Sequence, residues 1–298
     1  VLRSGPGCAV ALRYVLVERS RALRAAQREL LEVESYADAL GPAVLPGPDE
    51  APVGVAGLGP IVTALEELPS VPLEGVILAN ELLDNLPFRV VERTAGTWSE
   101  VRVGVDGDAL CEVLVPASPD LTVEADRVAT AAGVAAGARL PVPTGASDWL
   151  SRCGEILRRG YLLVIDYADT AASLASRGQG SWLRTYRAHQ RGGPPLGDPG
   201  AQDLTCDVPV EHLLGAAVRA RFRLVQHASQ TEWLRSLGSD ALAEAAGVEW
   251  RHRAHVGDLE AVAARSRVQE ADALTDPAGL GAHHVFVLTK GVGSARSG

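Results

Sequence analysis

Methionine is absent from these 298 residues, and lysine occurs once, at Lys290. Basic charge is therefore almost all arginine, a usage that fits a GC-rich genome. Cysteine is scarce: Cys8, Cys111, Cys153 and Cys206 lie far apart, without a CxxC pair or a Cys/His cluster. That pattern indicates neither a zinc site nor a disulfide framework, and it points to a reducing cytoplasm. No apolar run is long enough to span a bilayer, and no signal peptide is legible. No GxGxxG follows a strand pattern, which argues against a nicotinamide dehydrogenase. Net charge is −9, which argues against nucleic acid as a partner. The first residue is Val, and a strand pattern follows almost at once, so the chain reads either as a fragment or as the product of a GTG start.

What is present is a chain with 47% hydrophobic and 22% charged residues, enough to bury a large α/β core. It is organised around Gly75–Phe88, GVILANELLDNLPF. The run Val76-Ile77-Leu78-Ala79 has the composition of a buried parallel strand. It gives way at once to Asn80-Glu81, then to Asp84-Asn85, and ends at Pro87. Ligands of open α/β sheets sit beyond the carboxyl ends of strands, so acids there are candidates for a site. A polar turn capped by Asn80 would give the same pattern. Two further strands end in acids: Leu12–Val17 at Glu18, and Gly160–Ile165 at Asp166-Tyr167.

Around these strands the pattern predicts helices over 21–39, 117–136, 148–158, 210–220, 231–245 and 258–267. Leu23, Leu30 and Leu31 are expected on the inner side of the first. Short strands are expected at 61–64, 222–226 and 283–289. Residues 88–93, 98–103 and 109–115 alternate with period two, and Thr-Ala-Gly and Asp106-Gly107 separate them, which predicts an antiparallel meander. Residues 170–207 lack a regular pattern, are rich in Gly, Pro and Arg, and read as a lid. Their arginines are expected to be mainly solvated. His283 and His284 are adjacent, so in a strand they face opposite sides, and no metal is expected there.

The blocks YVLVERSRALRAAQ, GVILANELLDNLPF, Trp98-Ser-Glu, GYLLVIDYAD, LRTYRAHQRG and DLTCDVPVEHL occur in the order seen in MidA-like S-adenosylmethionine (SAM)-dependent methyltransferases, and the chain resembles that family from Leu2 to Leu237 and more loosely to Lys290. The family includes the mitochondrial complex I assembly-factor methyltransferase, a protein arginine methyltransferase. The resemblance implies an α/β fold, a Rossmann-like class I methyltransferase sheet with an inserted antiparallel β meander over about 88–116 and a helical and loop cap over about 168–212, in one domain, 1–298. It implies SAM as cofactor. Glu18 looks like the acid for the ribose hydroxyls, and Asn80 and Glu81 like residues beside the methyl donor. Glu81, Asp84 and Asp166 are the candidate catalytic acids. Tyr167, His189, Asp203 and Asp207 fall to substrate or cap. One departure stands out: the family's Gly-rich loop after strand one has no counterpart, since Gly5-Pro6-Gly7 precedes what looks like strand two. The expectation is a chain lacking the family's N-terminal part. A protein arginine is the leading acceptor, with a small-molecule amine methyltransferase and a non-catalytic assembly module as alternatives.

Overall fold

The computed structural model describes residues 7, 9–40, 59–129, 133–188 and 190–292. The chain divides into two compact units, Val1–Glu74 with Arg152–Arg159, and Gly75–Ser151 with Gly160–Gly298.

In the first unit, β1 (Arg13–Val17) pairs in parallel with β2 (Ile61–Leu65), from Arg13 opposite Ile61 to Val17 opposite Leu65. Helix α1 (Arg21–Leu30) starts where the Ser20 hydroxyl accepts the Leu23 N–H. The expected single helix is two, because α2 (Tyr36–Leu40) is separate. Glu34 breaks the helix by joining the sheet edge: its N–H donates to the Val62 carbonyl at 2.8 Å, and its own carbonyl accepts the Thr63 hydroxyl at 3.0 Å. Sheet pairing here overrides helix periodicity. Leu23, Leu30 and Leu31, expected to face inward, are exposed.

The second unit holds the remaining elements, apart from their residues 73–74 and Arg152–Arg159. Strand β3 (Leu73–Asn80) is followed by the meander strands β4 (Arg89–Thr94), β5 (Thr97–Asp106) and β6 (Ala109–Pro116). Ala95 and Gly96, both at positive φ, make the tight turn between β4 and β5, as the right-handed twist of a two-residue hairpin demands. Helix α3 (Pro119–Ala129) is shorter than its sequence pattern. A fourth strand, β7 (Arg139–Val142), closes the sheet in the order β6-β5-β4-β7. Its apolar side chains, Leu140 and Val142, are buried with Val91, Trp98 and the inner face of α3, Leu121, Ala125 and Val128. Helix α4 (Thr144–Ile156) leads into β8 (Leu157–Asp166).

The segment expected to be an irregular lid contains regular structure. After β9 (Ala168–Asp169) and α5 (Ala171–Ser176), β10 (Leu183–Arg187), β11 (Gln190–Arg191) and β12 (Asp203–Cys206) form an antiparallel sheet in the order β11-β10-β12. These strands have two to five residues, too short for alternation to show. Trp182, Leu183 and Cys206 nevertheless enter the same core as Trp98. Then come β13 (Val208–Pro209), parallel to β9, and α6 (Val210–Arg219), β14 (Arg223–Ser229), α7 (Gln230–Ser236), α8 (Ser239–Arg253), α9 (Leu259–Thr275) and β15 (His284–Lys290). Gly238, at φ 92°, splits the expected 231–245 helix into α7 and α8.

The site-bearing sheet runs β14-β15-β8-β3, with β15 antiparallel to β14 and β8. Its tightest approach lies between Gly75 and Gly160. A Cβ on Gly160, whose φ is +140°, would stand 1.9 Å from the Gly75 carbonyl oxygen. Gly160→Ala is therefore expected to destabilise the protein by about 3 kcal/mol or more, through steric overlap added to backbone strain. Urea unfolding measures it, and a loss below about 1 kcal/mol would show that the two strands can separate at no great cost.

Candidate active site at the ends of β3 and β8

Strands β3 and β8 finish together: the Glu81 N–H donates to the Ile165 carbonyl at 2.9 Å, and Asp166 is the last residue of β8. Glu81 has φ 48°, the left-handed region. The backbone thereby turns out of the strand into the 3₁₀ turn Leu83–Asn85. Glu81 lies outside that turn and is exposed, while Asp84 within it is buried. Asn80 is exposed at the strand end.

Asp166 is fully buried. Its Oδ2 accepts the N–H groups of Leu82 at 3.1 Å and Leu83 at 2.8 Å, and its Oδ1 accepts that of Tyr167 at 2.8 Å. The side chain therefore pins the turn that carries Asp84. Burial raises both acids. Asp166 is pushed up by burial, and its backbone donors pull it back. Asp84 is raised to about 7, by burial first and then by the charges of Asp166 and Glu81, against the opposing pull of Arg184 and of the Asn85 side chain, which donates to Oδ1 at 2.6 Å. Asp166 has the N–H donors that favour a carboxylate, so a proton shared by this pair resides on Asp84.

Tyr167 follows Asp166 and forms a floor. The Arg184 guanidinium lies 4.8 Å from its ring centroid, and the His283 ring meets it edge-on at 4.2 Å. Arg184 also pairs with Asp207 at 2.6 Å, and Arg177 bridges Asp207 at 3.4 Å and Asp169 at 2.9 Å. Burial raises the Asp207 carboxyl, and the two guanidiniums oppose it. A cleft of about 400 Å³ on this side is lined by Gln179, Leu183, Arg184, Arg191 and Gly192 among others.

The structure thus brings Glu81, Asp84, Asp166, Tyr167 and Asp207 into one cluster. Asp203 stands apart, exposed on β12 opposite Tyr186. His189 lies outside the described residues. Sequence reasoning placed Arg184 in a solvated loop, and it missed Arg177 and His283. For Arg184 the available signal was its position two residues before Tyr186 in the LRTYRAHQRG block. His283 and His284 do part: His283 reaches Tyr167, while His284 hydrogen-bonds His227 at 2.9 Å.

In the first unit, Glu18 follows β1. Its Oε1 accepts the Ser20 N–H at 2.7 Å, and among the described residues its other oxygen has no hydrogen-bond partner. An acid fixed this way fits a ligand hydroxyl, as a ribose would offer. In the second unit, the Asn80 side chain and the Glu81 carboxylate are exposed side by side at the end of β3.

Residues 1–226 match the profile of a family described as "Putative S-adenosyl-L-methionine-dependent methyltransferase". The chain belongs to this family. SAM is the cofactor of that family, as the ANELLDNLP and DLTCDV blocks led one to expect. Two crystal structures of members of one superfamily, both from Burkholderia thailandensis, are similar to this methyltransferase-family chain. The first has a TM-score of 0.69 at 27% identity and covers 95% of this chain and 67% of its own. The second, bound to S-adenosyl-homocysteine, has a TM-score of 0.69 at 26% identity and covers 95% of this chain and 65% of its own. The chain thus spans about two thirds of the length of these proteins. No curated protein matches it. The fold is mixed α/β, and no helix among the described residues is long and apolar enough to cross a membrane.

Proposed function

We propose that this chain methylates an arginine side chain of a protein, with SAM as donor. We read the fold as Rossmann-like, with the β4–β7 sheet as its inserted meander and residues 168–212 as its cap. We place the protein in the cytoplasm, and its charge of −9 favours a protein over a nucleic acid as partner. The observation that supports guanidinium as acceptor is that the cluster already holds one: Arg184 rests on Tyr167 and against Asp207. Arginine stays charged in proteins, and its planar fork suits carboxylates and aromatic faces.

Bound SAM supplies a methyl group on a positively charged sulfur. The acceptor nitrogen forms the new C–N bond as the C–S bond breaks, and it must then lose a proton. Glu81, exposed at the strand end, orients the guanidinium. Asp84 takes the proton, and a carboxyl near 7 is suited to that exchange at neutral pH. Strand β12 packs against the Leu83–Asn85 turn and covers it. Asp166 holds the turn in place. In the first unit, Glu18 is assigned to the ribose hydroxyls, where charge-assisted bonds contribute about 1.5–3 kcal/mol each.

Transfer of labelled methyl from SAM to proteins, read at arginine, tests the proposal. Glu81→Gln is expected to lower turnover about 100-fold, and Asp84→Asn to lower it at least as far while SAM binding, measured by calorimetry, persists. Full transfer by both Glu81→Gln and Asp84→Asn would sink the assignment of roles. Labelled metabolite amines with no labelled protein would replace the acceptor by a small molecule, and a chain that fails to bind SAM would leave a non-catalytic module.

A further inference from the structure

The methylation roles leave Arg184 unused, although its guanidinium pairs with Asp207 and its charge acts on Asp84. Its side chain is 12% exposed, a deep burial for a guanidinium. It starts on β10, where Arg184 pairs with Thr205 of β12. Strand β12 packs against the Leu83–Asn85 turn, so this strand pair covers Asp84. From there the guanidinium reaches Tyr167, next to the end of β8, and Asp207, just past β12. One side chain therefore touches both segments that flank the acid turn. Its pairing with Asp207 at 2.6 Å lacks the angles of a hydrogen bond, and its Nε has no hydrogen-bond partner among the described residues. Asp207 is shared with Arg177, so the positive charge of Arg184 is not consumed by one carboxylate.

We propose that Arg184 is a positioning residue for the acid turn: standing on Tyr167 and against Asp207, it fixes the β10–β12 strands over Leu83–Asn85 and favours the charged form of Asp84. The proposal rests on Asp84 being the proton acceptor. The groups facing Asp84 are Glu81 on its own segment, Asp166 and Tyr167 at the end of β8, Arg184 on β10, and Cys206 with Asp207 at the end of β12. Among them only Arg184 is a cation. Arg184 pulls Asp84 down, in the direction opposite to burial. Its removal therefore leaves burial and the acids opposed by the Asn85 side chain alone among these groups.

The test is the pH titration of the Asp84 carboxyl in the full chain, followed by ¹³C NMR with labelled aspartate and assigned by its loss in Asp84→Asn. In Arg184→Gln the midpoint is expected to move up by about one pH unit, the size of effect an opposite charge in this range exerts. Arg184→Lys keeps the charge and is expected to leave the midpoint within a few tenths of a unit, although it cannot reproduce the planar stack. The acidic limb of the methyl-transfer pH profile should move with the titration. An unmoved midpoint in folded Arg184→Gln overturns the proposal. If that variant does not fold, Arg184→Met decides: it keeps the length of the side chain without the charge, so the midpoint should again rise by about one pH unit, and a midpoint that stays overturns the proposal. The titration needs no turnover. A shifted midpoint without any methyl transfer would therefore sink the proposed reaction while leaving the effect of Arg184 intact.

Discussion

Asp84→Asn is expected to cut methyl transfer steeply and, at neutral and alkaline pH, to make the protein more stable. Asp84 is almost wholly buried, and burial together with Asp166 and Glu81 raises its carboxyl to about 7. In the unfolded chain an aspartate titrates near ~3.9. Between about pH 4 and pH 7 the folded state therefore holds a proton that the unfolded state has released. Stability falls as pH rises through that window and stays reduced above it, since the raised group opposes folding once both states have lost the proton. Asparagine keeps the shape and never carries the charge. At about 1.4 kcal/mol per pH unit, its advantage at pH 8 is on the order of 2–4 kcal/mol, and near pH 4 it vanishes. Urea unfolding at the two pH values measures the difference. A variant that tracks the parent at both would show that Asp84 is not strained in its charged form. Turnover should fall by about two to four orders of magnitude if this carboxylate takes the proton. Gain of stability with loss of activity is the signature of a group retained for chemistry.

Asp166→Ala is expected to act in the opposite sense and to cost about 3–6 kcal/mol. It strips the partners from three backbone N–H groups, those of Leu82, Leu83 and Tyr167, at about 1–3 kcal/mol for each donor left buried and unpaired. A loss of that size approaches the ~5–15 kcal/mol that holds a typical domain together. Asp166→Asn keeps one acceptor oxygen and should cost roughly half as much. Thermal unfolding gives the size, and hydrogen exchange at the three amides gives the place. All three should exchange faster in Asp166→Ala even where the rest of the sheet stays protected. If the alanine variant unfolds within a degree or two of the parent, the carboxylate is not what holds the turn.

The strand ends were legible because each combines two signals, an apolar run and an abrupt acid: Ala79 to Asn80-Glu81, and Ile165 to Asp166. The hairpin at Ala95-Gly96 was legible from local turn chemistry. What escaped sequence reasoning depends on distant partners. The break between α1 and α2 follows from Glu34 pairing beside Thr63, and the cap sheet from Leu183 pairing with Cys206. Neither leaves a period in its own segment. The candidate site divides along the same line. Acids at strand ends could be named, but not that Asp166 would spend one oxygen on two amides more than eighty residues earlier, or that Arg184 would leave a polar loop for the face of Tyr167.

Glu81 occupies a left-handed backbone conformation, which costs a side-chain-bearing residue about 1 kcal/mol and glycine almost nothing. Folding alone would thus favour glycine here. On the role proposed for Glu81, selection for an acid and selection for a relaxed turn pull this codon in different directions. In a descendant released from the demand for chemistry, Glu81 is the position where drift should first run toward Gly or Asn. Across relatives, that single residue would separate working enzymes from retired ones without an assay.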